Sequence, residues 1–180
     1  MSASKTAPWT IRHGRLEDLP GILEIYNHYV LNSVATFDLE PFGLEERKPW
    51  MQQFQQEGRF QVFVAVHAEQ VLGYAYSGSF RERRAYDTSV ETTVYLAPDA
   101  VGLGLGRALY DALLPRLQAF GLHRVIAGIT RPNAGSIALH EACGFEHVGT
   151  MSEVGRKMDR YWDVGWWEKR LDGGKSNGRA

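Results

Sequence analysis

Three alternating glycines stand where an apolar strand pattern changes to a helix pattern. The apolar stretch 94–96 runs into a Pro98-Asp99 turn, and Gly102, Gly104 and Gly106 follow before helical spacing begins. Glycine accepts positive φ and has no Cβ, so such a loop can turn several backbone N–H groups toward one anion. The first turn of the following helix adds unpaired N–H donors and the positive end of its dipole. The pattern therefore predicts a site for a phosphate or pyrophosphate group.

The spacing of these glycines decides between known phosphate-binding loops. A dinucleotide fingerprint needs glycine at the sixth place counted from Gly102, where this chain has Arg107. A P-loop needs Gly-Lys-Ser/Thr, which does not follow here. Both nucleotide-binding classes are excluded, and an ordinary strand-to-helix hinge stays open as the alternative.

Two titratable residues near this loop could move protons. Glu91 is a charged residue in an apolar strand, three residues before the stretch expected to hold the ligand, and its carboxylate could act as a general base. His140 lies in a short helical segment and could act as a general acid near neutral pH. The alternatives are an outward-facing strand glutamate and a structural histidine. The stretch after His140 lacks the second histidine of a metalloprotease helix, so no metal is expected.

The composition limits the possible partners. The chain has 180 residues, 44% of them hydrophobic, a formal net charge of -1, and no long basic run, which argues against a nucleic-acid or membrane surface as a partner. No apolar run approaches the length of a membrane span, and residues 1–8 lack the core of a signal peptide. The single Cys143 excludes an internal disulfide and a cysteine-based zinc site. We expect a cytoplasmic protein.

The periodicity predicts one α/β domain over residues 10–171, with flexible segments 1–9 and 172–180. The order is β-α-α-β-β-β-α-β-α-β-β, with a helical crossover after the fourth strand. The predicted strands are 10–13, 62–66, 71–76, 88–96, 124–129, 145–149 and 160–167, and the predicted helices are 16–30, 44–56, 105–120 and 136–143.

Several separated motifs resemble the GNAT superfamily of N-acetyltransferases. The window Val101 to Gly106 fits the pyrophosphate-loop pattern Gln/Arg-x-x-Gly-x-Gly/Ala, except that Val101 stands at the first position. The change removes one polar side chain, so weaker coenzyme affinity is expected. Binding should not be lost, because the backbone supplies most of the phosphate contacts. Further motifs resemble the phosphinothricin acetyltransferases within this superfamily: YNHYV at 26–30, AYD at 85–87, ETTVY at 91–95, HEACGF at 140–145 and WDVGWW at 162–167.

This resemblance implies a fold and a set of roles. The fold would be a mixed, mostly antiparallel sheet with splayed fourth and fifth strands and helices on both faces. Glu91 would be the general base, the Val94 N–H would face the thioester carbonyl, and His140 would protonate the departing thiolate. The residues implied for coenzyme binding are Val94, Tyr95, Leu96, Gly102, Leu103, Gly104, Leu105, Gly106, Arg107 and Asn133. Those implied for the acceptor are Arg81, Glu82, Arg83, Thr92 and Thr93, with His28, Tyr29 and Phe37 closing the pocket.

The implied activity is transfer of acetyl from acetyl-CoA to the α-amine of a small amino-acid-like acceptor, by direct attack in a ternary complex. Phosphinothricin and methionine sulfoximine or sulfone are the acceptors that the resemblance suggests, which would make this a detoxification or resistance enzyme. The resemblance also implies a homodimer. The alternatives are another amine, such as an arsenic-containing analogue, a polyamine or a protein terminus, and a non-catalytic acyl-CoA sensor.

Overall fold

The computed structural model describes residues 9–171, so the predicted flexible segments lie outside the described residues, apart from Trp9. One seven-stranded sheet carries four helices. The strands are β1 (Thr10–His13), β2 (Val62–His67), β3 (Gln70–Ser79), β4 (Ser89–Leu96), β5 (Arg124–Arg131), β6 (Glu146–Lys157) and β7 (Arg160–Arg170). The helices are α1 (Leu19–Asn32), α2 (Leu44–Gln52), α3 (Leu105–Ala119) and α4 (Ala134–Ala142).

The strand order is β1-β2-β3-β4-β5-β7-β6, and only the β4–β5 pair is parallel. This central pair is short: Ser89, Val90 and Glu91 pair with Arg124, Val125 and Ile126. Beyond Glu91, β4 pairs only with β3, while β5 continues against β7. The two strands therefore separate, as predicted, and leave the edge of β4 open from Thr92 to Leu96.

Helices cover both faces of the sheet. On one face, α1 brings the ring of Tyr26 to 5.3 Å from the ring of Tyr95 of β4. On the other face, the Tyr110 hydroxyl of α3 lies 3.3 Å from Thr92 Oγ1. The apolar stripe predicted for α3 is buried, and it forms the centre of the core together with apolar residues of β2 and β5. The layers are those expected of the predicted α/β class.

Several element boundaries differ from the sequence prediction. Helix α2 ends at Gln52 rather than 56, and strands β5 and β7 continue to Arg131 and Arg170 rather than 129 and 167. Three further differences have an identifiable physical reason. The helix α1 begins at Leu19 rather than 16, because the Asp18 carboxylate accepts hydrogen bonds from Arg12 and from the Arg15 N–H. Strand β3 extends to Ser79, since the buried Ser77 hydroxyl bonds the backbone of residues 59 and 61. The edge strand β6 continues to Lys157, where mostly exposed side chains hide the alternation of a strand.

Two kinds of feature are absent from residues 9–171. No helix in this part of the chain combines the length and apolarity needed to cross a membrane. Within the same residues, no three His, Cys, Asp or Glu side chains are grouped so that they could hold a metal ion.

Candidate active site

The separation of β4 and β5 creates a cleft of about 490 Å³. The direction of the β4 backbone groups follows from two hydrogen bonds: the Ala97 N–H donates to Leu72 O of β3, and Thr88 O accepts from Arg124 N–H on the β5 side. Because successive peptide groups of a strand point to opposite sides, the N–H groups of Thr92, Val94 and Leu96 face the cleft. The open edge of β4 can therefore pair with an extended amide-bearing ligand.

The glycine loop closes one end of this cleft. Gly102 and Gly104 have φ of 85° and 80°, values that residues with a Cβ rarely adopt. Gly104 is the N-cap of α3, and no side chain caps this helix, so the N–H groups of its first turn have no intrahelical partner. Val101 is 61% exposed beside the same opening. These backbone donors and the helix dipole fit a pyrophosphate group.

The second wall of the cleft is α4. A Cβ on Gly106 would lie 2.8 Å from Leu139 Cδ2, so glycine at this position lets α3 and α4 approach each other closely. Asn133 lines the cleft, and its Oδ1 accepts the Ser136 N–H as the N-cap of α4. Both of its predicted roles, coenzyme contact and helix cap, are thus compatible with its position.

Glu91 lies where β4 and β5 separate. It is the last residue of β4 that pairs with both neighbouring strands, opposite Gly78 of β3 and Ile126 of β5. Burial raises the pKa of Glu91 above its ordinary value, and the positive charge of Arg81 offsets part of the rise. Glu91 does not itself line the cleft, but the next residue along β4, Thr92, does. A carboxylate with a raised pKa beside a cleft is suited to general-base work near neutral pH.

The alternation of β4 separates the predicted acceptor residues into two groups. Glu91 and Thr93 face the α1 side, where Thr93 hydrogen-bonds Tyr76. Thr92 faces the opposite side, is buried, and lies against the Tyr110 hydroxyl. The side chains of Thr92 and Glu91 therefore lie on opposite faces of the sheet, although both Thr92 and Thr93 line the cleft. Contact of either threonine with the acceptor stays a prediction.

His140 lines the cleft but is only 3% exposed. Its Nδ1–H donates to Ser136 O at 2.7 Å, so Nε2 accepts the Tyr110 O–H at 2.8 Å. Burial lowers the pKa of His140 below its ordinary value. The ring is thus uncharged in this arrangement and paired on both nitrogens, whereas from the sequence we expected a general acid near neutral pH.

The arginine loop after β3 forms its own groove. Arg81, Glu82 and Arg83 line this groove with Ser79, Phe80 and Tyr86. The Arg81 guanidinium lies over the Phe80 ring, 4.6 Å from its centroid, and its charge reaches Glu91. The structure thus places Arg81, but not Arg83, in electrostatic contact with the predicted base.

Two residues predicted to bind coenzyme are engaged elsewhere. Leu103 is partly buried and packs against the hydrophobic core. Arg107 borders the cleft, but its Nε binds the Asp111 carboxylate at 2.8 Å and its Nη1 binds Ala142 O at 2.9 Å. The other predicted coenzyme residues, Val94, Tyr95, Leu96, Gly102, Gly104, Leu105, Gly106 and Asn133, line the cleft.

Two tyrosines make contacts at the site that the sequence pattern does not predict. Tyr110 falls within the apolar stripe of α3, so its pattern is that of a core residue, and only the fold brings its hydroxyl between Thr92 and His140. Tyr29 was predicted to close the pocket. Its hydrogen bond was not predicted: the Tyr29 hydroxyl donates to Leu96 O at 2.7 Å on the open edge of β4. No spacing rule connects residues 67 positions apart.

Together, the splayed parallel pair, the glycine loop at a helix N-terminus and the half-buried carboxylate of Glu91 define an acyl-CoA-dependent N-acyltransferase. Comparison with protein families agrees, because residues 11–166 match the acetyltransferase (GNAT) domain. The chain belongs to the GNAT family and is an acetyl-CoA-dependent N-acetyltransferase.

Its relatives narrow the class further. The chain is 51% identical over 168 residues to a phosphinothricin N-acetyltransferase of Streptomyces coelicolor, covering 92% of this chain and 98% of the relative. It is 40% identical to an L-methionine sulfoximine/L-methionine sulfone acetyltransferase of Pseudomonas aeruginosa, covering 91% of this chain and 95% of the relative. A phosphinothricin acetyltransferase from Sinorhizobium meliloti, solved in complex with AcCoA, superposes with a TM-score of 0.88 at 37% identity, covering 96% of this chain and 93% of that one.

Proposed function

We propose that this enzyme transfers acetyl from acetyl-CoA to the α-amine of phosphinothricin or of methionine sulfoximine or sulfone, and so detoxifies such compounds. The observation that carries the proposal is Glu91, a half-buried carboxylate at the point where β4 and β5 separate, beside the positive charge of Arg81. The named activities of relatives with 51% and 40% identity support the acceptor class.

The acyl transfer exchanges one bond for another. Acetyl-CoA supplies an activated thioester, whose C–S bond breaks as the C–N bond to the acceptor forms. Glu91 takes the proton that the amine loses, and its raised pKa favours this role. The Val94 N–H, directed into the cleft, stabilises negative charge on the carbonyl oxygen.

The departing thiolate needs a proton. In this proposal the thiolate takes up, through solvent in the open cleft, the proton that the amine released to Glu91, and His140 is the cleft-lining residue placed to relay it. Tyr110, fully buried behind His140, donates its own O–H to His140 Nε2 and keeps that proton, because burial raises the pKa of Tyr110 and lowers the pKa of His140. His140 then serves as its hydrogen-bond acceptor and holds it in place through Ser136.

The acceptor would lie on the Glu91 face. Arg81 and Arg83 would bind its carboxylate or phosphinate, since a guanidinium fork suits such planar or tetrahedral anions. Their exposure in the groove leaves both side chains accessible to a small molecule.

We further propose a cytoplasmic homodimer. The edge strand β6 exposes Val148, Met151 and Val154 by half or more of their surfaces, which a second copy of the chain would cover. A cytoplasmic location would give the enzyme direct access to acetyl-CoA.

The decisive experiment measures thiol release from acetyl-CoA with a panel of amines. The panel contains phosphinothricin, methionine sulfone, methionine sulfoximine, plain amino acids, spermidine and an alanine-terminated peptide. We expect fast turnover confined to the first three, reduced about a hundredfold or more by Glu91→Gln. Arg81→Ala should raise the acceptor KM and leave the acetyl-CoA KM unchanged. Coenzyme binding without turnover on any amine would overturn the proposal in favour of a sensor.

A further inference from the structure

The segment between α1 and α2 borders the coenzyme cleft and the face of the sheet that carries Glu91. Ala35 lines the coenzyme cleft. The charges of Asp38 and Glu91 both raise the pKa of Tyr76, so Asp38 and Glu91 lie near the same tyrosine. Phe37, between them, covers Gly155 of β6 so closely that a Cβ there would lie 2.3 Å from its ring. Residues 35–38, named here the acceptor loop, thus connect the coenzyme cleft to the Glu91 face.

Contacts from three separate elements hold the acceptor loop. From α1, the Tyr26 hydroxyl bonds Thr36 Oγ1 at 2.9 Å and the Asp38 carboxylate. From β4, the Tyr95 hydroxyl donates to Ala35 O at 3.2 Å. From β6, Lys157 Nζ donates to Thr36 O at 2.8 Å. The first two anchors belong to the part of the fold that carries the loop, whereas the third comes from the far edge of the sheet.

The Lys157 anchor is unusual for its residue type. Lysine is seldom buried, yet Lys157 is 6% exposed at the end of β6. Burial lowers the pKa of Lys157, and the charge of Asp38 offsets part of this fall. The hydrogen bond to Thr36 engages one of its three N–H donors, and Asp38 of the same loop supplies the nearby negative charge.

The location of Lys157 explains what this anchor achieves. Within the sheet, β6 pairs only with β7, and β7 reaches β4 only through β5, which has already separated from it. Lys157 bridges this gap on the Glu91 face by tying the β6–β7 hairpin directly to the acceptor loop. The contact joins residues 121 positions apart in the chain.

We propose that Lys157 is a positioning residue for the acceptor, which fixes residues 35–38 against β6 and thereby sets the shape of the acceptor side. This inference rests on the proposed function for its kinetic readout. The proposed role requires no contact between Lys157 and the substrate. Lys157 affects acceptor binding more than the chemical step, because Glu91 and Val94 are held by the sheet itself.

The test compares Lys157→Met with Lys169→Met. Lys169 is a matched control, since its Nζ also donates to a backbone carbonyl at 2.8 Å, that of Cys143, on the opposite side of the molecule from the acceptor loop. Loss of one charge-assisted anchor should raise the acceptor KM about tenfold in Lys157→Met, with kcat within about threefold of wild type. Equal behaviour of the two variants, or a fall in kcat alone, would refute positioning.

Hydrogen exchange measures the order of the acceptor loop in the absence of any acceptor. The Asp38 N–H donates to Thr36 Oγ1 at 3.2 Å, so its hydrogen exchange reports order in this loop. We expect faster exchange at residues 35–38 in Lys157→Met and wild-type exchange in Lys169→Met. This result would stand even if no amino-acid acceptor were turned over, which separates failure of the inference from failure of the proposed function. Unchanged exchange in Lys157→Met would overturn the inference.

Two further variants cover the case in which Lys157→Met does not fold, and they are also combined in a double variant. Lys157→Gln keeps a donor on a shorter side chain, and Tyr26→Phe removes the α1 anchor of the same loop. If both anchors hold one loop, their effects on kcat/KM for the acceptor will be non-additive in the double variant. Simple additivity would show that they act on separate features and would contradict the proposal.

Discussion

At the scale of single residues, the active site depends on charges held in places that do not favour them. Glu91 remains in a half-buried position because β4 pairs with both neighbours there and fixes its backbone. The cost is electrostatic, since burial raises its pKa by penalising the charged form. Function and stability should therefore conflict at this residue.

Glu91→Gln tests this conflict. A carboxyl group whose folded pKa is raised contributes its stability at low pH, and that contribution is lost as pH rises through the folded pKa. The uncharged glutamine does not incur this loss, so we expect the variant to unfold at a higher urea concentration than wild type at about pH 7.5. Near pH 4, where both side chains are mostly neutral, the difference should shrink. A variant less stable at neutral pH than wild type would contradict the assignment of a raised pKa.

At the scale of elements, the glycine loop shows how conformation and packing make different demands on the same residue type. Gly104 is required for its φ of 80°, with nothing within 4 Å of a Cβ placed on it. Gly106 has an ordinary helical backbone but faces Leu139. The sequence pattern alone treats these two glycines as equivalent.

Alanine substitutions should separate these roles. Gly104→Ala places a Cβ in a left-handed conformation, at a cost of about 1 kcal/mol, and should raise the acetyl-CoA KM by distorting the loop that presents the N–H groups. Gly106→Ala pushes on a flexible leucine end and should mainly lower the melting temperature. Gly43→Ala, with φ of -80° and open space around its Cβ, is the control. Identical acetyl-CoA KM values in all three variants would argue against phosphate binding by this loop.

The elements and the cleft could largely be predicted from the sequence, whereas several contacts between distant residues could not. Periodicity predicted every helix and strand, and the motifs around Glu91 and Gly104 predicted the cleft. Boundaries were missed where side chains replace the expected pattern, as with Ser77 bonding the neighbouring strand of β3. The pairing of Tyr110 with His140 and the anchoring of the acceptor loop by Lys157 depend on contacts between residues 30 and 121 positions apart, which no local pattern encodes.

At the scale of the whole molecule, the splay leaves the sheet incomplete at its centre. From Thr92 to Leu96, β4 pairs with a neighbouring strand on one side only, and the two halves of the sheet meet in three residue pairs. An extended ligand in this gap would supply the missing partner for β4 and contact α4 on the other side. Coenzyme binding should therefore stabilise the global fold and the central strand together.

Thermal unfolding and hydrogen exchange measure both effects. At a hundredfold excess over Kd, binding contributes about 2.7 kcal/mol, which corresponds to a rise of roughly 5–10 °C in Tm for a domain of this size. Exchange at the N–H groups of Val94 and Leu96 should slow more than that at Tyr95, whose N–H already faces β3. Gly104→Ala should reduce the Tm shift at the same coenzyme concentration. If protection rose equally at odd and even positions of β4, the ligand would be acting through the global fold alone, and pairing at the open edge would be excluded.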